Sequence, residues 1–95
     1  MEQETNIEYF PVSSGSKAKS VGSAIAREVE KNSTVKLRAI GVQAVNQAVK
    51  GLAIASGFLG QKGKTLWFRC GFDDVVVADK PDKKITAMMF IVKVE

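Results

Sequence analysis

Apolar positions along this chain alternate between a spacing of two and a spacing of three to four, and the switches divide it into six segments. Residues Ile7 to Val12 (IEYFPV) carry aromatic and β-branched side chains and predict a first strand. Pro11 lacks a backbone donor, which assigns that strand to a sheet edge. The serine cluster Ser13-Ser14-Gly15-Ser16 predicts a turn, with Ser16 or a neighbour as helix cap. A helix follows from about Lys17 to Asn32, in which Val21, Ala24, Ile25 and Val29 make one apolar stripe. Arg27, Glu28, Glu30 and Lys31 fall largely on its other side.

Thr34 to Ile40 alternates strictly, with Val35, Leu37 and Ala39 on one side and Lys36 and Arg38 on the other. That is a half-buried strand with a basic outer face. After Gly41 a second helix runs from about Val42 to Leu59, with Val45, Ala48, Val49, Leu52, Ala55 and Leu59 as its core stripe. Val42, Ala44, Ile54 and Phe58 widen the stripe until most of the circumference is apolar, so the helix needs cover on more than one side. A partner subunit is the natural supplier in a chain of this size. The basic loop GQKGK (60–64) leads into a strand from Thr65 to Val77, a charged turn DKPDKK (79–84) and a last strand from Ile85 to Val94, apolar on both faces and therefore central or covered twice. The order strand, helix, strand, helix, strand, strand favours one mixed sheet with both helices on a single face.

With 95 residues the chain is one domain: a polar tail over 1–6 and a single folded unit over 7–95. The opening MEQETNIEYF is acidic and polar and does not read as a secretory signal, and the apolar stretch around helix two is interrupted by Gln43, Asn46, Gln47 and Lys50. A cytoplasmic protein with no membrane span is expected. The lone cysteine, Cys70, forms no internal disulfide and reads as a small buried hydrophobe.

Candidate chemistry narrows the picture by elimination. Gly63-Lys64-Thr65 imitates the end of a phosphate-binding loop, but Phe58 stands where that motif needs glycine, and the context is helix to strand rather than strand to helix. Gly57-Phe58-Leu59-Gly60 imitates a KH-type loop, yet Phe58 and Leu59 are better read as core. The chain has no histidine, the commonest general base and transition-metal ligand. Asp73 and Asp74 are neighbours on a strand and point to opposite faces, and Cys70 has no histidine to activate it. No enzyme, no metal and no cofactor is expected.

What remains is basic. Fourteen Lys and Arg against ten Asp and Glu give +4, and three of the acids (Glu2, Glu4, Glu8) lie at the start of the chain. Lys17 and Lys19 open the first helix, where the dipole already attracts anions and disfavours cations. Arg38 ends the second strand; Gln43, Asn46, Gln47 and Lys50 follow on helix two. Both strand-to-helix connections leave the sheet at one edge, which brings these groups toward one surface. Lys62 and Lys64, and Lys80, Lys83 and Lys84, mark two further basic loops.

At the second strand and helix the residues become specific. The run from Arg38 through Lys50, continuing as Ala53-Ile54-Ala55-Ser56-Gly57-Phe58, resembles the "AIG…NQAVK…AIA.GF" signature of the stage V sporulation protein S family. Val12-Ser13, Ser20-Val21-Gly22 and the closing apolar strand fit the same alignment, which covers nearly the whole chain. That family is similar to the Alba group of small basic nucleic-acid-binding proteins. The resemblance implies an α+β, two-layer, Alba-like fold of order β-α-β-α-β-β, a homodimer or higher homo-oligomer, and binding of DNA or RNA. Lys17 and Lys19 match the lysines of the Alba strand-to-helix loop and Arg38 a basic residue near the end of the second strand. Ile40 and Val42 stand where Alba proteins carry arginines, and the hairpin between the last strands looks shortened to DKPDKK.

The expected contacts are thus Lys17, Lys19, Ser20, Arg38, Gln43, Asn46, Gln47 and Lys50, on phosphates rather than bases. Few aromatics are expected on the surface, and Trp67 reads as core or interface packing rather than a stacking platform. The alternatives are a protein–protein module built on the apolar helix and last strand, and a small-anion site in the Ser13-to-Lys19 loop.

Overall fold

The computed structural model describes residues 9–77 and 80–95. The polar tail over 1–6, the first residues of the expected opening strand (Ile7 and Glu8) and Asp79 of the charged turn lie outside them. Six elements follow in the expected order: β1 (Phe10–Val12), α1 (Ala18–Asn32), β2 (Thr34–Ala39), α2 (Val42–Gly60), β3 (Leu66–Val77) and β4 (Lys80–Val94). They form an α+β fold with one mixed four-stranded sheet in the order β1-β2-β4-β3.

β1 and β2 run parallel, with Phe10 beside Leu37 and Val12 beside Ala39, while β4 is antiparallel to both β2 and β3. β1, with Pro11, occupies an edge, and the apolar β4 lies second from the other edge, where both its neighbours are strands. Leu37, Ala39, Phe90 and Val92 bury one sheet face under Val21, Ile25 and Val29 of α1 and Ala44, Ala48, Leu52, Ala55 and Leu59 of α2. Both helices therefore share one face, and fully burying each large apolar side chain stabilises the fold by roughly 1.5–3 kcal/mol.

The helices meet at two glycines. A Cβ on Gly22 would stand 2.6 Å from Ile54 Cγ2, and one on Gly51 would stand 2.4 Å from Val21 Cγ1, so only hydrogen fits at the crossing. Each helix tolerates a mid-helix glycine because the close approach depends on it. At its C-terminus α1 ends in Ser33, left-handed at φ 69°, whose N–H donates to the Val29 carbonyl at 2.7 Å.

Four expectations change. Ser16 does not cap α1: Lys17 occupies the N-cap position and makes no side-chain capping bond. The Ser16 hydroxyl instead accepts from the Ser13 N–H at 2.9 Å and closes the turn. The segment from Lys80 to Lys84 is strand rather than turn; Val76 pairs with Lys84 and Val77 with Lys80, so residues 81–83 are absorbed as an irregularity in a long hairpin. On α2, Val49 is 45% and Phe58 40% exposed rather than part of the core, while Ala44 and Leu59 are buried. Cys70 is exposed, because β3 is the edge strand beyond the helix layer and its outer half, including Phe72 at 74% exposure, has no helix above it.

Candidate nucleic-acid interface

Parallel pairing of β1 with β2 places Val12 beside Ala39, so the chain leaves both strands at the same end of the sheet and enters a helix each time. The first connection is a serine turn: the Ser16 N–H donates to the Ser13 carbonyl at 3.1 Å and the two hydroxyls lie 3.2 Å apart. The second is Ile40-Gly41, with Gly41 at φ 96°, ψ 156°, a conformation open essentially to glycine alone. A single long-range bond ties the two connections together. Gln47 Nε2 on α2 donates to the Ser16 carbonyl at 2.6 Å, and this bond is partly buried.

Both helices begin without a side-chain cap and without an acidic residue in the first turn. The first N–H groups of α1 and α2 are therefore left for an outside acceptor, and two positive dipole ends lie at one end of the domain. Lys17 and Lys19 add cations to the start of α1, and Ser20 adds a hydroxyl; all three are exposed. Among the described residues neither lysine has an acidic partner. Gln43, Asn46 and Lys50 are exposed on α2, with Gln43, Gln47 and Lys50 at helical spacing on one face. Seven of the eight expected contact residues thus belong to the helix layer, and Gln47 fixes the layer's geometry.

Arg38 does not join them. Its neighbours Leu37 and Ala39 are buried under the helices, so alternation turns Arg38 to the opposite, open face of the sheet, next to Met89 across the β2–β4 pair. That open face forms a second basic surface: Lys36 pairs with Ile91 and Ile91 with Arg69, while Thr34 pairs with Lys93 and Lys93 with Trp67. Lys36 Nζ lies 5.7 Å from the centre of the Tyr9 ring. The indole N–H of Trp67 donates to Glu95 Oε2 at 3.0 Å, and the side chain is 36% exposed rather than core. Sequence reasoning found only the β2 part of this surface, the basic outer face of Lys36 and Arg38, because the rest arises from strand pairing; its local trace is the alternation Trp67–Arg69 in β3 and the lone cation Lys93 in the apolar stretch 85–94 of β4.

The basic GQKGK loop has a different use. Lys62 and Lys64 reach Glu30 Oε1 and Oε2 at 2.9 and 3.2 Å, joining the loop after α2 to the last turns of α1. Hydrogen bonds from Lys62, then Lys64, hold the Glu30 carboxyl below its ordinary value of 4.5. These cations are engaged within the fold, whereas among the described residues Lys17 and Lys19 at the opposite end of the helix layer have no acidic partner. Among the described residues no three His, Cys, Asp or Glu side chains come together as metal ligands, and no helix is long and apolar enough to cross a membrane.

The helix-end geometry and the signature segment around Gly41 both belong to the portion of the chain that a known family covers. The family model described as stage V sporulation protein S (SpoVS) matches residues 8–95, nearly the full length, and the chain belongs to that family.

Proposed function

We propose that this SpoVS family member is a non-enzymatic regulatory protein of the cytoplasm, serving sporulation or a related developmental process, that binds DNA or RNA through phosphates. The observation that carries the reading is the pairing of two uncapped, acid-free helix N-termini at one end of the domain, tied by the 2.6 Å Gln47–Ser16 bond and carrying Lys17 and Lys19. Backbone N–H groups and ammonium groups are the donors that phosphate oxygens accept from. Ser20, Gln43, Asn46 and Lys50 supply neutral and cationic contacts along the same layer. The strand and helix order matches the one expected from the Alba resemblance, which points to the same partner class.

Binding of this kind is insensitive to base sequence and falls steeply with salt. The test is fluorescence anisotropy of a labelled DNA duplex and its RNA equivalent across a salt series. Replacing Lys17 and Lys19 by Ala lowers affinity and reduces the log–log salt slope by about two, one unit per lysine. Absence of binding at low salt defeats the proposal.

A second reading rests on exposed apolar side chains. Val42 is 84% exposed and Phe72 74%, and Val49 widens the uncovered strip on α2. Such groups suit a homodimer or higher homo-oligomer. Sedimentation of the Lys17→Ala/Lys19→Ala variant separates the readings, because assembly through apolar groups survives loss of the two lysines.

A further inference from the structure

The open face of the sheet is built differently from the helix layer. Across β2, β4 and β3 the outward side chains stand in two adjacent rows, Lys36–Ile91–Arg69 and Thr34–Lys93–Trp67, with Tyr9 at the β1 end against Lys36. Neighbouring strands are about 4.8 Å apart and successive outward rows about 6.7 Å apart. Cations and aromatic rings are therefore interleaved over a flat area, with an aliphatic side chain, Ile91, between them.

Two shallow clefts open on this face and share a wall. One, of about 160 Å³, is lined by Trp67, Arg69, Ile91 and Lys93. The other, of about 240 Å³, runs from Tyr9 past Arg69 and Ile91 to Met89. Each is smaller than the roughly 300–1,000 Å³ usual for a cofactor or drug-sized ligand. Among the described residues the acids in reach are Asp73, whose Oδ1 accepts from the Asp74 N–H at 2.9 Å, and Glu95, whose Oε2 accepts from the indole of Trp67. The latter bond engages the indole at its N–H edge, and Trp67 lines the smaller cleft.

We infer that this face binds single-stranded nucleic acid, with a base stacked on Trp67 and the flanking phosphates on Lys36, Arg69 and Lys93. Charge complementarity selects a polyanion, and the aromatic rings between the cations select one that carries planar groups. A single strand meets both conditions, because its bases are free to leave their neighbours and stack on a side chain. A duplex meets only the first. The inference shares the partner class of the proposed function and uses the opposite side of the molecule, so each can fail without the other.

Trp67 is the sole tryptophan of the chain, and its emission reports on this face alone. A short single-stranded DNA oligonucleotide quenches it, inorganic polyphosphate at equal charge does not, and the quenching persists in Lys17→Ala/Lys19→Ala. With a labelled strand, anisotropy shows Trp67→Ala binding about 5- to 150-fold more weakly, the factor carried by one base–aromatic stack. Trp67→Phe keeps most of the affinity and guards against misfolding of the Ala variant. Arg69→Ala/Lys93→Ala weakens the strand and lowers its salt slope. Unchanged emission while the strand binds elsewhere overturns the inference and leaves the helix-end reading in place. Equal quenching by polyphosphate overturns it too, since the face then recognises charge without bases.

Discussion

Substituting Ala for Gly22 tests the helix crossing that sets the whole upper layer. The added Cβ would lie 2.6 Å from Ile54 Cγ2, 2.8 Å from Ile54 Cβ and 3.0 Å from the Gly51 carbonyl oxygen. Carbon atoms pack best at about 3.5–4.0 Å, so the overlap is close to an ångström. Rotation of Ile54 cannot relieve it, because Cβ is fixed to the backbone and the third neighbour is backbone as well. Overpacking of this kind costs about 1–3 kcal/mol, against about 1 kcal/mol gained from replacing a mid-helix glycine. An overlap that involves fixed atoms and backbone takes the upper part of that range, about 2–3 kcal/mol. The net loss is therefore about 1–2 kcal/mol, and at about 4–8 °C per kcal/mol for a domain of this size the melting temperature falls by about 4–16 °C. Gly51→Ala meets Val21 at 2.4 Å and behaves alike, and the double variant is less than additive because both strain one contact. Gly57→Ala, with nothing within 4 Å, is the internal control and stabilises by the helix propensity alone. Thermal unfolding followed by circular dichroism reads all four. If Gly22→Ala melts at or above the parent temperature, the helices do not touch there and the packing account is wrong.

Three further outcomes follow from local geometry. Gly41→Ala destabilises by about 1–3 kcal/mol through backbone strain at φ 96°, although no atom lies within 4 Å of the added Cβ; an unchanged urea midpoint would contradict this. Because Lys62 and Lys64 hold the folded Glu30 carboxyl below 4.5, its contribution is present above that pH and is lost as the pH falls through the lowered value. Parent and Glu30→Gln melting temperatures therefore differ at neutral pH and converge in acid and in high salt, and a gap that persists in both would show that the pair is not its source. Cys70 reacts with a thiol reagent in the folded protein as fast as in the unfolded one, and protection would place it under a cover that the fold described here lacks.

The parts of this architecture that local patterns encode were legible in the sequence. The strand–helix order, the edge position of β1 signalled by Pro11, the inner position of β4 signalled by apolar residues on both faces, and the emergence of both strand-to-helix connections at one end all follow from period and residue type. What pairing and coverage decide was not legible. Cys70 has the neighbours of a core residue, yet the strand that carries it lies outside the helix layer. The charges of DKPDKK read as a turn, while Val77 pairing with Lys80 draws most of the segment into the sheet. Ser16 is a competent cap by type, but its hydroxyl is taken by Ser13 three residues earlier. The row of Lys36, Ile91 and Arg69 joins residues from three strands and exists only once the register is fixed. For the same reason Arg38 could be placed at the right end of its strand yet on the wrong surface.

The helix layer is electrostatically lopsided, and the lopsidedness can be tested at one residue. At its C-terminal end Glu30 engages two lysines. At its N-terminal end neither helix has an acid in its first turn, and Lys17 sits in the capping position itself. Its backbone, φ −87° and ψ 126°, already has the extended conformation that a capping residue adopts. Lys17→Asp therefore needs no rearrangement: the carboxylate accepts from the N–H of Lys19 or Ser20. It gains about 1 kcal/mol as a cap and about 0.3–1 kcal/mol from the dipole. Melting temperature rises accordingly, while the same change puts an anion where phosphate is proposed to sit and lowers duplex affinity further than Lys17→Ala does. A variant both more stable and weaker in binding identifies the missing cap as a feature maintained for the ligand at the expense of the fold. A variant that is more stable and binds duplex undiminished removes Lys17 from the interface, and the helix-end reading with it.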